Sequence, residues 1–187
     1  MLEHSQTFYG THLAALLDGS PPELGYPHRR TTDIEMAIKK QEFYEGAALH
    51  LLSRTGRITG ARYEPPIFEF NGNVVVLLNY STKTRSPWPF SFMPDELSLL
   101  QSVLPPKRVV VGLVCGADGV VAVPYDALRS VAGASTSSIH IACRRNHAEH
   151  YRVSGPNGDL PRTIAPSAWQ HILDSGSRSC LSSGGKV

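Results

Sequence analysis

Cysteine is scarce in this chain, and its scarcity excludes whole classes of protein. Cys115, Cys143 and Cys180 are odd in number and show no Cys-x-x-Cys spacing, which leaves neither a disulfide framework nor a zinc-finger pattern and fits a reducing compartment. Long apolar runs are missing as well. No stretch approaches the roughly 18 continuous apolar residues of a membrane span, and the opening "MLEHSQTFYG" lacks the basic-then-apolar order of a secretory signal. The expectation is a soluble, cytoplasmic protein with no membrane partner. Charge of one sign is not in excess: 18 Lys and Arg against 16 Asp and Glu give a formal net charge of +2, a balance that does not by itself indicate nucleic acid. No Gly-x-Ser-x-Gly elbow is present. The glycine-rich "CGADG" has neither the lysine nor the following helix of a phosphate-binding loop, so it reads as a tight turn.

What is present suffices for one core of ordinary size, since 41% of the 187 residues are hydrophobic. Residues 1–31 read as an N-terminal appendage, a short helix followed by the proline-rich connector "SPPELGYPHRR". Residues 32–173 read as a single α/β domain, and residues 174–187, with almost nothing to bury, as a disordered tail. The domain opens with the strongest helical pattern in the chain, Thr32 to Thr55. Thr32 and Glu35 are spaced as a capping box and Gly56 as the stop. Met36, Phe43, Ala47 and Leu51 form an apolar stripe, with Tyr44, Ala48 and Leu52 beside it and Glu45 at its edge.

"PIFEFNGNVVVLLNY" predicts two strands joined at an Asn-Gly turn, and the unbroken apolar run Val74 to Leu78 predicts a strand covered on both faces. "PDELSLLQSVL" predicts a helix. "KRVVVGLVCGADGVVAVPYDAL" predicts a second buried strand, a turn and a partner strand. "SSIHIACRR" and "HYRVSG" predict a further strand pair, and "PSAWQHIL" a last short helix. "SPWPF", with proline on both sides of Trp88, reads as a loop anchored by Trp88 and Phe90.

The order helix, hairpin with a buried second strand, helix, buried strand resembles the core of the PD-(D/E)XK nuclease superfamily over roughly Thr32 to Leu128. Glu45, Ala48, Leu52 and Gly56 match the Glu-x-x-Ala-x-x-x-Leu-x-x-x-Gly pattern often found on the first helix of that family, and "NYSTKT" resembles the exit of its catalytic strand. The resemblance implies a mixed central sheet flanked by helices, in the restriction-endonuclease-like arrangement. It also implies a site in which two acids hold Mg²⁺ while a lysine two residues after the second acid steadies the developing phosphate charge.

Here Leu77 stands where the second acid belongs and Asn79 where the lysine belongs. The replacements available for catalysis are Glu45, Glu69 and Lys83, with Glu64 and Glu69 as metal ligands. Lys83, Arg85, Arg144 and Arg145 are the candidate contacts to nucleic-acid phosphates. Each also has a plain reading as a solvated residue. Cys143, His147 and His150 offer a Cys-x-x-x-His pair but no complete zinc set. The reading is a nuclease-like protein that binds nucleic acid, DNA rather than RNA, with a degenerate catalytic strand. Two alternatives stand beside it: an active magnesium-dependent nuclease with relocated residues, and a nuclease-like module that binds a protein partner.

Overall fold

The computed structural model describes residues 37–133 and 137–174. The N-terminal appendage, the capping box at Thr32 and Glu35, Met36 and the tail beyond Asp174 lie outside the described residues. The described chain is α/β, but it carries two sheets in place of one central sheet.

Helix α1, Lys40–Ser53, is shorter than its pattern suggests. Residues 37–39 are not helical, and the Glu42 carboxylate accepts the Lys39 N–H at 2.8 Å, which satisfies the amide just ahead of the first turn. The buried face of α1 is also rotated from the expected stripe. Glu45, Ala48 and Leu52 are buried while Phe43 is exposed. Two contacts fix that rotation: the Trp169 indole donates to the Ala48 carbonyl at 2.9 Å, and Tyr44 stacks on Tyr80 with ring centroids 4.9 Å apart.

Strands β1 (Ala61–Glu64), β2 (Ile67–Phe70) and β3 (Val74–Ser81) form an antiparallel meander. The β2–β3 turn is the expected one, with positive φ at both Asn71 and Gly72. After β4 (Trp88–Phe92) and helix α2 (Pro94–Ser102) the chain returns as β5 (Arg108–Cys115), parallel to β3 from Val74 opposite Arg108 to Ser81 opposite Cys115. Strand β6 (Val120–Pro124) closes a hairpin with β5, so the five-stranded sheet runs β1-β2-β3-β5-β6. Val74 to Leu78 and Val109 to Cys115 are buried throughout, as strands with both faces covered should be.

Helix α3 (Tyr125–Ala132) follows β6 directly. The second sheet is antiparallel, in the order β4-β7-β8-β9, and contains β7 (Ile139–Arg144), β8 (Arg152–Gly155) and β9 (Gly158–Asp159). Strand β4 corrects the loop reading of "SPWPF". Trp88, Phe90 and Phe92 alternate into the core, and Pro89, which has no N–H to donate, is tolerated because β4 is the edge of its sheet. Pro166–His171 form a 3-10 helix, the expected last short helix.

One face of the five-stranded sheet is covered by α1 and the 3-10 helix, the other by the second sheet and α3. No described helix is long and apolar enough to cross a membrane.

Candidate phosphate-binding face

The parallel strands β3 and β5 end at Ser81 and Cys115, and three turns gather beyond those ends. Residues 82–87 link β3 to β4, residues 116–119 link β5 to β6, and residues 145–151 link β7 to β8. Hydrogen bonds tie the loops together. The Trp88 indole donates to the Lys83 carbonyl at 3.1 Å, and the Arg145 backbone N–H donates to Ser86 Oγ at 3.1 Å. The pairing of β4 with β7, Trp88 opposite Cys143, sets this meeting of distant segments.

Two open concavities adjoin there and share Arg145 and Asn146. One, of about 570 Å³, is lined by Arg85, Asp118, Arg145 and His147 among others. The other, of about 180 Å³, is lined by Arg144, Arg145, His150 and Arg152 together with Glu149 and Asp159. Of the sequence-predicted phosphate contacts, Arg85, Arg144 and Arg145 are thus brought together; Lys83 is exposed beside them, on the same loop as Arg85, without lining either concavity.

Asp118 organises the centre. Its Oδ2 accepts from the Tyr151 hydroxyl at 2.6 Å and from Arg145 Nη1 at 2.8 Å. Tyr151 is buried, and burial first, then the bond to Asp118, pushes its phenol well above the ordinary tyrosine range. For Arg145 burial works against the charge, yet its bonds to Tyr151 and Asp118 prevail and raise its pKa further.

Sequence reasoning missed Asp118, Tyr151, Asn146 and Arg152. Asp118 sits in "GADG", where a turn aspartate is commonplace, and only the β5–β6 turn meeting the β7–β8 loop gives it partners. Cys143 does not join the histidines. Its side chain is a free thiol, fully buried like that of Cys115, and hydrogen bonding with the Cys143 thiol, then burial, pushes Cys115 up. His150 meets Thr163 Oγ1 at 3.3 Å.

The candidate catalytic carboxylates do not converge. Glu45, 6% exposed, accepts from Gln41 Nε2 at 2.7 Å on the α1 side of the sheet. Glu69 lies between Phe68 and Phe70 on β2, so the pleat turns it to the opposite face, where it pairs with Lys107 at 2.9 Å. Glu64 is exposed and pairs with Arg62 at 2.7 Å. Lys83 lies beyond the C-terminal end of β3, whereas Glu69 is opposite Val75 near its start. Leu77 is buried in the sheet, and Asn79 donates to the Ser91 carbonyl at 2.7 Å. Among the described residues no group of three His, Cys, Asp or Glu side chains is placed to hold a metal ion. Compared with known family models, curated proteins and solved structures, the chain matches none.

Proposed function

We propose that this protein binds nucleic acid, DNA rather than RNA, through the arginine-lined face at the ends of β3 and β5, on a core of restriction-endonuclease-like arrangement. The observation that carries the reading is the gathering of Arg85, Arg144, Arg145 and Arg152 around two adjoining concavities in a molecule of nearly balanced charge. Phosphate contacts supply most sequence-independent affinity, and arginine is the side chain best shaped for them. The core reading is supported by the order α1, β2, β3, α2, β5, with β3 and β5 parallel, and by Glu45, Ala48 and Leu52, which form the buried face of α1.

A salt titration of binding to double- and single-stranded DNA, with RNA alongside, tests the proposal. Affinity falls steeply between about 50 and about 200 mM salt if several phosphates are contacted, because each contact releases condensed counterions. Arg144→Ala and Arg152→Ala weaken all sequences alike and each reduce the salt slope by about one. A folded sample that binds neither DNA form near 50 mM salt would falsify the reading. A protein partner is the second reading, favoured by Ile38 and Phe43, large apolar side chains exposed at and just before α1.

A further inference from the structure

Arg145 differs from the other arginines of this face in being held on three sides. Its Nε donates to the Glu149 carbonyl at 2.9 Å, and its Nη1 donates to Asp118 Oδ2 at 2.8 Å and to the Tyr151 hydroxyl oxygen at 3.0 Å. The guanidinium carbon lies 4.9 Å from the centre of the Tyr151 ring, and the ring is itself fixed by the donation of its hydroxyl to Asp118. These contacts use the Nε hydrogen and both Nη1 hydrogens. The two Nη2 hydrogens make no hydrogen bond among the described residues, the side chain keeps 18% of its surface exposed, and it lines both concavities at their junction.

An arginine that serves only to neutralise Asp118 needs one such bond, whereas this one also lines the junction of two concavities whose walls include Arg85, Arg144 and Arg152. A guanidinium already fixed in place loses little rotamer freedom on binding, so its open edge discriminates by geometry as well as charge. Asp118, which would otherwise repel a phosphate, is compensated by its bonds from Tyr151 and Arg145.

We infer that Arg145 is the fixed phosphate anchor of this face: its Nη2 edge takes a non-bridging oxygen of one backbone phosphate, and Asp118 and Tyr151 are positioning residues that hold it. The inference rests on the nucleic-acid reading above and assigns the geometry within it. Phosphates elsewhere along the face meet Arg85, Arg144 and Arg152 as more mobile charges.

The test compares conservative variants by fluorescence anisotropy on a labelled DNA duplex and its single strand, with circular dichroism establishing that each variant is folded at the temperature used. Arg145→Lys keeps the charge but loses the fork, and affinity is expected to fall about tenfold with the salt slope unchanged. Tyr151→Phe keeps the ring but removes one of the three bonds to the guanidinium and a donor to Asp118, and binding weakens several-fold, again at constant slope. Arg62→Lys, the same change of geometry at an exposed position on β1 outside both concavities, leaves affinity as it was. If folded Arg145→Lys and Tyr151→Phe bind as the unaltered protein does, the anchor is overturned while the nucleic-acid reading stands. If the unaltered protein binds neither form of DNA, both fall together.

Discussion

A phenol buried against a carboxylate is stable in one protonation state. Tyr151 donates to Asp118, and burial together with that bond raises its pKa above the ordinary value of 10. The unfolded chain releases this proton near 10 and the folded chain holds it to higher pH, so the contribution to stability is complete below 10 and is lost as pH rises above it. Urea unfolding from about pH 8 to about pH 11 should show that decline, and Tyr151→Phe should flatten it. At neutral pH the same variant should be less stable by about 1–2 kcal/mol, since Asp118 loses a donor. Parallel curves for the two proteins above pH 10 would remove Tyr151 as the cause. Cys115 and Cys143 carry a second expectation at this scale. Both are free thiols and fully buried, and hydrogen bonding with Cys143, then burial, raises Cys115, so iodoacetamide should leave both unmodified in the native protein and alkylate both in urea. Rapid labelling of either under native conditions would contradict the burial of the two thiols.

Elements meet where side chains are large or absent. Gly112 on β5 has no room for a side chain: a Cβ there would lie 2.6 Å from Leu78 Cδ2 and 2.8 Å from Trp169 Cζ3. Gly112→Ala should therefore destabilise by about 1–3 kcal/mol, measured by denaturant unfolding, as the indole is pushed from the sheet. A neutral result would mean that the 3-10 helix moves freely. Strands β3 and β5 were legible in the sequence because their unbroken valine and leucine runs admit few other placements. Strand β4 was not, because Pro89 within it and Pro87 just before it hide a period-two pattern that only an edge position allows. Helix α3 was hidden because its apolar residues continue those of β6 past Pro124. The burial of α1 was half legible: two apolar stripes lie side by side, and the choice between them is made by Trp169, 121 residues from Ala48 in sequence. Arg85, Arg144 and Arg145 could be read as candidate phosphate contacts. Their convergence depends on Ser86 meeting Arg145 across 59 residues, which no local pattern encodes.

Over the whole molecule, the distribution of charge decides more than its sum. The arginines of the proposed face line its concavities together with Asp118, Glu149 and Asp159, while the acids considered for metal binding are engaged elsewhere: Glu69 by Lys107, Glu64 by Arg62, and Glu45 by Gln41 on the buried face of α1. Contacts made by guanidinium groups need no bridging ion. DNA binding should accordingly be the same with a chelator present, and millimolar magnesium should weaken it only as added salt does. DNA and RNA incubated with magnesium or manganese should remain intact. Glu69→Ala, which removes a partly exposed ion pair, should change stability by no more than about 1 kcal/mol and leave affinity unaltered. Magnesium-dependent cleavage that Glu64→Ala or Glu69→Ala abolishes in folded protein would instead require those carboxylates to leave their present partners and meet at phosphate. It would restore the active-nuclease reading, because a hydrolytic site cannot lose its metal ligands without a large penalty in rate.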